Sequence, residues 1–257
     1  MKKFFIITFA ALSAISIARA QEFKVNKSSG KMTLNLKSAM VEGYNGNEII
    51  FKSQRSESDQ DPRAKGLRAI NGSGYTDNTG LGISVVENGG TVEVNQIASA
   101  NLDLEIMVPK GVVISFACHK MSDAGTVDFK NMENEIEIST DYNSVKLENI
   151  TGPATVRALY GTVDAKFSDN IKGPISIVSV YSTVDVAIPQ TTKANVKLSS
   201  SHGDILAASE FKIEMEKSPG SDMISYGSEV NGKLNGGGTD FKLTSEYGKI
   251  YLRVAGK

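Results

Sequence analysis

The chain has 257 residues, and its 28 Lys and Arg nearly balance its 29 Asp and Glu. A formal net charge of −1 argues against nucleic acid or an anionic lipid surface as a partner, because such partners attract strongly basic proteins. The single cysteine, Cys118, excludes an intramolecular disulfide framework.

Residues 1–20 have the three parts of a secretory signal peptide. Lys2 and Lys3 precede an apolar run over residues 4–17, and a small-residue ending follows at Ala18-Arg19-Ala20. The run is too short to span a membrane, and no later segment approaches the required length. We expect cleavage before Gln21 and export to the periplasm, the outer membrane or the outside of the cell. Without the basic residues of this segment the formal charge falls from −1 to −4.

Residues 21–123 predict less regular strands, which we place at 31–36, 48–52, 82–87, 91–95, 102–108 and 112–118. The polar segment 53–66, which contains Pro62, predicts a loop. Cys118 shares its strand face with Phe116 and should be buried, whereas His119 should point to the opposite face, which argues against a Cys-His catalytic pair. No linker interrupts the chain. We therefore expect one domain over 21–257, in which 21–123 caps the regular repeats of 124–257.

From Ala124 to Tyr251 one short sequence pattern recurs, which consists of an aromatic residue, a corner residue and an alternating apolar strand. The corner residues stand at 125, 143, 161, 182, 203, 227 and 248, and a spacing of 18 to 24 residues is typical of a solenoid. Period-two alternation before and after each corner predicts two strands per repeat, each with one buried face. Most corners are Gly or Asn, which predicts a positive φ.

The aromatic residue before each corner shares its parity with the buried residues of the preceding strand. This parity predicts an internal ladder of packed rings, formed by Tyr142, Tyr160, Tyr181, His202, Tyr226 and Tyr247. A small residue, usually Ser or Thr, stands two positions before most of these rings and would leave room for them. For His202 a packed ring is the favoured role, because no second metal ligand accompanies it.

The segment Leu102-Asp103-Leu104-Glu105-Ile106-Met107-Val108-Pro109-Lys110-Gly111, the serial Gly-x-Val corners and the Asn-Ile-x-Gly links at 149–152 and 170–173 resemble a known bacterial family. It is the β-strand-repeat family named "putative adhesin", which is similar to the head domains of autotransporter-type adhesins. The resemblance covers residues 30–255. It implies an all-β fold, a right-handed single-stranded β-helix, in the cell envelope. The family offers no catalytic residues that could be carried over to this chain.

One outward column, three positions past the corners, contains a candidate acidic pair. It reads Asp128, Lys146, Asp164, Asp185 and Leu206. Stacked rungs lie about 4.8 Å apart, so Asp164 and Asp185 would be neighbours. The pair could be the acid and base of a polysaccharide lyase or hydrolase, or hold a cation, or belong to a solvated charge ladder. We favour the charge ladder, because no Arg, His or aromatic residue is evidently gathered around the pair.

A second outward column, one position past the corners, is rich in hydroxyl groups. It reads Thr126, Ser144, Thr162, Thr183, Asp204, Ser228 and Lys249. Such a column could bind sugars or ice, or it could simply be a surface that suits strands. The chain lacks a Ser-His-Asp set, a HExxH motif, a CxxC motif and a phosphate loop. We therefore expect no catalytic site, metal or cofactor.

Leu159, Val178 and Val180 break the alternation because they should face outward. A contiguous apolar group on a sheet face indicates something covered or something bound. Either a loop of the N-terminal third covers it, or it is the centre of a partner or self-association surface with Arg157 and Thr155 at its rim.

The sequence thus favours a non-enzymatic envelope or secreted protein, adhesin-like or a scaffold, that presents a flat surface to a glycan or an envelope protein. A carbohydrate-active enzyme is the alternative.

Overall fold

A computed structural model of the protein describes residues 21–53, 62–64, 66–99, 102–215 and 228–256. The predicted signal peptide, most of the predicted 53–66 loop and the corner at Tyr226 lie outside these residues. Within the described part of the chain, no helix has the length and apolarity needed to cross a lipid bilayer.

The described regular structure is β, apart from single 3-10 turns at Pro62–Ala64 and Met121–Asp123. The strands are β1 (Gln21–Val25), β2 (Ser29–Asn35), β3 (Ala39–Tyr44), β4 (Ile49–Ser53), β5 (Ile83–Asn88), β6 (Thr91–Gln96), β7 (Leu104–Pro109), β8 (Gly111–Cys118), β9 (Thr126–Lys130), β10 (Ile136–Thr140), β11 (Ser144–Ile150), β12 (Ala154–Ala158), β13 (Val163–Phe167), β14 (Ile175–Ser179), β15 (Val184–Ile188), β16 (Ala194–Ser200), β17 (Ile205–Ala207), β18 (Ile213–Met215), β19 (Ser228–Leu234), β20 (Thr239–Ser245) and β21 (Ile250–Val254). The predicted all-β class is confirmed. The strands β1 and β3 had no counterpart in the sequence prediction.

The strands form two large, mostly parallel sheets. One has ten strands in the order β1-β4-β7-β3-β9-β11-β13-β15-β21-β17, and the other has eleven in the order β18-β19-β16-β20-β14-β12-β10-β8-β2-β6-β5. From β8 to β17 the chain passes from one sheet to the other at every strand. Each repeat therefore supplies one strand to each sheet, as the alternation on both sides of the corners predicts.

The core lies between the inner faces of the two sheets. In β12, Ala154, Val156 and Ala158 are buried while Thr155 and Arg157 are exposed, and the other repeat strands bury alternate residues in the same way. The buried apolar residues form one cluster that extends from Met32 to Leu252. Burial of each large aliphatic side chain contributes about 1.5–3 kcal/mol, so the stack is stabilised along its whole length.

The spatial order of the rungs differs from their order along the chain. Strands β20 and β21 insert between the rung of β14 and β15 and the rung of β16 and β17. At the other end, β2 and β3 insert between the rung of β6 and β7 and the rung of β8 and β9. The last repeat of the chain is therefore an internal rung of the stack.

Antiparallel strands terminate both sheets at one end of the stack but only the eleven-stranded sheet at the other, where the ten-stranded sheet ends in β17, which is parallel to β21. At one end β1 pairs with β4, β4 pairs with β7, and β5 pairs with β6. At the other end β19 pairs with β16, and β18 pairs with β19. The prediction that the N-terminal third as a whole forms a cap is wrong, because β2 and β3 are inner strands with parallel neighbours on both sides.

The prediction of a positive φ at the corners that follow the aromatic residues is also wrong. Among the described non-glycine residues, positive φ occurs instead at Asn131 (54°), Asn149 (57°), Asn170 (63°) and Asn235 (50°), and the first three form the opposite corner of successive rungs. Glycine at 161 has another reason: a Cβ there would overlap the carbonyl oxygen of Asn143 on the neighbouring rung. The corner thus selects glycine because adjacent backbones approach closely.

Candidate functional site

A ladder of stacked rings runs along the stack at the corners that follow β10, β12, β14, β20 and β16. Its members in spatial order are Tyr142, Tyr160, Tyr181, Tyr247 and His202, and we call this row the aromatic ladder. Successive ring centroids lie 5.1, 5.0, 5.1 and 4.6 Å apart, and successive ring planes differ by only 18°, 11°, 9° and 7°. The predicted column therefore exists, with Tyr247 inserted before His202 because of the changed rung order.

The aromatic ladder lies at the surface, which contradicts the prediction of an internal one. Tyr160, Tyr181 and Tyr247 are 48%, 51% and 52% exposed. The strands end two residues before each ring, for example at Ala158 before Tyr160 and at Ser179 before Tyr181. Because the chain is already turning at the ring, the strand alternation no longer determines which way the side chain points.

A column of buried hydroxyl groups fastens the corner beneath four of the five rings, all except Tyr160. Ser245 accepts a hydrogen bond from the N–H of Gly248 at 3.0 Å and donates one to the carbonyl of Ser182 on the neighbouring rung at 2.8 Å. Ser179 and Ser200 make the same pair of bonds at 2.9–3.3 Å. These side chains close their own turn and tie it to the next one, so they hold successive rings in register.

These residues do more than leave room for the rings, as their small size suggested, because their hydroxyls also form hydrogen bonds within the corner. Ser179, Ser200 and Ser245 are at most 1% exposed, and Thr140, also buried, donates to the carbonyl of Asn143 in its own corner. The recurrence of Ser or Thr three residues before the corner is a signal for this side-chain-to-backbone bond. Ala158 is the exception in the column.

The aromatic ladder presents ring edges and phenol groups to solvent. Each inner ring faces a ring on both sides at about 5 Å, so its two faces are largely covered by its neighbours. No group within the described residues accepts a hydrogen bond from the phenols of Tyr142, Tyr160, Tyr181 or Tyr247. These phenols are available to a ligand as donors and acceptors.

The predicted hydroxyl column runs beside the aromatic ladder on the other side of the corner residues. Ser144 pairs with Thr126, and the hydroxyl of Thr162 donates to that of Ser144 at 3.1 Å. Further along the stack, Lys249 forms an ion pair with Asp204 at 2.9 Å, and this hydrogen bond raises the pKa of Lys249. The rungs of Tyr142, Tyr160 and Tyr181 therefore carry neutral hydroxyls in this column, and a charged pair follows them.

The two carboxylates of the candidate acidic pair are neighbours, but one of them forms an ion pair with an arginine. Asp164 and Asp185 are direct neighbours in the register of β13 and β15. The Nε atom of Arg253 lies 2.8 and 2.9 Å from the two carboxylate oxygens of Asp185, and the guanidinium also lies over the ring of Tyr251 at 4.9 Å. The expectation that no arginine approaches the pair is wrong, because β21 was not expected beside β15. Tyr251 accordingly stands between Asp185 and Leu206 in this column.

The two residues considered as a Cys-His pair have separate surroundings. Cys118 is buried, and loss of hydration raises the pKa of its thiol. The Nδ1 atom of His119 lies 3.0 Å from a carboxylate oxygen of Asp141. Among the described residues, no group of three or more His, Cys, Asp or Glu side chains is close enough to hold a metal ion.

Within the apolar group, Val178 lies on the outer face of the eleven-stranded sheet, and Leu159 and Val180 are the first residues after β12 and β14; all three are half-buried. Val178 is paired directly with the exposed Arg157, and Leu159 and Val180 lie in neighbouring positions on adjacent rungs, one residue before the aromatic ladder. We call these three apolar residues the apolar patch. It borders the ladder on the side opposite the hydroxyl column.

The solved structures that resemble this chain include two of similar extent. One is described as "a putative cell adhesion protein" from Clostridium sporogenes; the match covers 91% of this chain and 99% of that one, with a TM-score of 0.47 and 14% identity. The other, "a putative adhesin" from Bacteroides fragilis, matches over 91% and 97%, with a TM-score of 0.35 and 10% identity. No family model and no curated protein matches the chain.

Proposed function

We propose that this chain is an exported, non-enzymatic, adhesin-like binding protein that holds a glycan along the aromatic ladder. The observation that carries the proposal is the exposure of the stacked rings of Tyr160, Tyr181 and Tyr247 on consecutive rungs, each residue being about half open to solvent. Single exposed aromatic residues are ordinary on protein surfaces, but a contiguous row of them indicates a binding surface.

The ladder is built for binding rather than for stability alone. Tyrosine offers a large amphipathic contact area and loses little conformational freedom when it binds. In this protein the neighbouring rings and the buried hydroxyl column already restrict each ring before a ligand arrives. Preorganisation of this kind raises affinity because less entropy is lost on binding.

The chemistry of the surface favours a glycan over a folded protein. Sugar rings combine apolar C–H groups with hydroxyls, and the rungs of Tyr160 and Tyr181 offer aromatic edges, phenols and the hydroxyls of Thr162 and Thr183. A protein hot spot, in contrast, is usually an apolar anchor in a desolvated pocket. The flat, repetitive and partly polar corner offers no such pocket.

The enzyme alternative receives less support from the acidic pair. A general acid or base needs a carboxylate that can reach the reacting group. Both oxygens of Asp185 are within hydrogen-bond distance of Arg253, so this carboxylate already has a cationic partner. Asp164 lies between Asp185 and Lys146 in the strand register, as expected of a surface row of mixed charges. We accordingly propose that Asp164 and Asp185 have no catalytic role.

We further propose that the mature chain begins at Gln21 in the periplasm or outside the cell, and that residues 21–257 form a single domain whose two sheets wind as a right-handed β-helix. The tripartite start of the sequence supports export. N-terminal sequencing of the protein from the cell envelope and from the medium tests this. An intact N-terminus on a cytoplasmic protein would refute export.

The apolar patch with Arg157 at its rim is a proposed contact for a partner or for a second copy of the chain. The support is its place beside the ladder and its apolar character on and just beyond an outer sheet face.

A glycan array tests the proposed function directly. The wild-type protein should bind a subset of glycans, Tyr160→Ala and Tyr181→Ala should each weaken that binding, and the double variant should abolish it, while Tyr75→Ala, which alters an exposed tyrosine outside the ladder, should bind like the wild type. Parallel incubation with polysaccharides, followed by a reducing-end assay, should detect no cleavage. Binding that survives both ladder substitutions, or cleavage that Asp185→Asn abolishes, would refute the proposal.

A further inference from the structure

We infer that the glycan is a neutral, linear, β-1,4-linked chain that lies along the stack axis, with one sugar unit opposite each ring of the aromatic ladder. This inference rests on the proposed function and adds the class, the direction and the register of the ligand. It follows from three properties of the ladder, namely its step, its charge and its length.

The step of the ladder matches a sugar chain better than an extended peptide. Successive rings are 4.6–5.1 Å apart. An extended β-1,4-linked pyranose chain advances by nearly this distance per sugar unit, so one unit would lie opposite each ring. Because neighbouring units are turned over by about half a rotation, equivalent C–H and hydroxyl groups would meet every second ring, and the opposite edge of the sugar would meet the rings between. An extended peptide advances by about 3.2–3.4 Å per residue, or by about 3.1 Å in polyproline II, and would lose register after the first rung.

The covered ring faces determine how the sugar would be contacted. A sugar cannot lie flat on Tyr160 or Tyr181, because neighbouring rings occupy both faces of each. The chain would instead cross the ring edges, with its hydroxyls bonded to the phenols and to Ser144, Thr162 and Thr183. The rungs of Tyr142, Tyr160 and Tyr181 each offer a phenol and a hydroxyl in the same arrangement, which is the reason that a polymer fits better than a single sugar.

The charge along the ladder favours a neutral ligand. On the rungs of Tyr142, Tyr160 and Tyr181 the neighbouring column carries only hydroxyls, and no free cationic group stands within it to attract an acidic sugar. The next cation in that column, Lys249, is already paired with Asp204 at 2.9 Å.

The length of the ladder sets the length of the glycan that it recognises. In the described part of the chain the ladder has five members, from Tyr142 to His202, with four steps between them. Affinity should therefore rise with each added sugar until the ladder is covered, and longer chains should gain little more.

Calorimetric titration of the purified protein with cello-, xylo-, manno- and chito-oligosaccharides of one to eight units tests the inference. In the series that binds, the dissociation constant should fall by about threefold to tenfold per unit up to about five units and then level off. Tyr181→Ala divides the ladder and should remove the gain beyond two units. Tyr181→Phe keeps the stacked ring without its phenol and should lose about threefold, while Tyr75→Ala should match the wild type.

The outcomes separate this inference from the proposed function. If a disaccharide binds as tightly as a hexasaccharide while Tyr181→Ala still weakens binding, the ladder binds glycans but the register inference is wrong. If acidic glycans bind in place of all four neutral series, the inferred ligand class is wrong. If neither these oligosaccharides nor an array of glycans binds, both the inference and the proposed function fail. Thermal unfolding of each variant establishes that the loss of binding is not a loss of fold.

Discussion

The coupling between neighbouring rings of the aromatic ladder can be measured with a double-mutant cycle. Tyr160→Ala, Tyr181→Ala and the double variant remove one ring, the next ring and both. The two rings are stacked at 5.0 Å with an angle of 11° between their planes. Aromatic pairs of this kind contribute about 0.5–1.5 kcal/mol beyond the area that they bury, so we expect a coupling energy in that range.

A second cycle on Tyr142 and Tyr181 provides the matched control. These residues occupy the same ladder but are two rungs apart, with Tyr160 between them. They do not stack on each other, but both stack on Tyr160, so we expect a coupling through this shared ring that exceeds the roughly 0.3–0.5 kcal/mol scatter of independent sites. The coupling for this pair should be clearly smaller than for adjacent rings.

Urea denaturation followed by circular dichroism gives the free energies of unfolding for both cycles. Tyr160→Ala alone should cost less than the roughly 3–5 kcal/mol typical of fully buried aromatic residues, because about half of this side chain is exposed. Equal coupling in the two cycles, or none in the adjacent pair, would refute the stacked arrangement. A single-variant loss at or above the upper end of that range would show that the ring belongs to the core.

Three further predictions concern the buried hydroxyls, a surface ion cluster and the apolar patch. Ser245→Ala leaves a corner amide and a neighbouring carbonyl unpaired and should cost about 1–3 kcal/mol in urea titrations, whereas an unchanged midpoint would show that the hydroxyl does not fasten the corner. Glu133, hydrogen-bonded to Lys110 and Lys172, has its pKa lowered from 4.5 to about 2, so its stabilising effect is complete above pH 4.5 and is lost as the pH falls towards 2. Glu133→Gln should therefore reduce stability above pH 4.5 and leave it unchanged at the acid end, and an equal loss at both ends would contradict the assignment. Val180→Lys should weaken self-association or partner capture, measured by light scattering and pull-down, without moving the denaturation midpoint, and a variant that assembles like the wild type would remove the patch from consideration.

The alternation of apolar residues predicted most of the local architecture. Segments such as 136–140 and 154–158 have apolar side chains at alternate positions, which point into the core, and this pattern is sufficient to make them half-buried strands. The recurrence of a corner residue between two such strands predicted one strand in each sheet per repeat. These features depend on residues close in sequence, which is why they could be derived from the sequence.

The rung order was decided by tertiary structure. The inward residues of β20 and β21, such as Phe241 and Ile250, have the same apolar character as those of β16 and β17. Either pair of strands could therefore follow β14 and β15 as far as local pattern is concerned. Parallel pairing between equivalent repeats has no register signal of its own, so the choice depends on how the whole stack packs and how its ends are closed.

The sequence pattern also could not predict that the candidate site is exposed. The sequence determined that Tyr160 and its equivalents form one column, since they occupy the same place in every repeat. It could not determine the side on which they lie, because parity applies only while the chain is extended, and β12 ends at Ala158. At the corner the backbone turns, fastened in most rungs by a buried hydroxyl and by the close approach of neighbouring chains at residues such as Gly161, and that turn directs the rings to the surface.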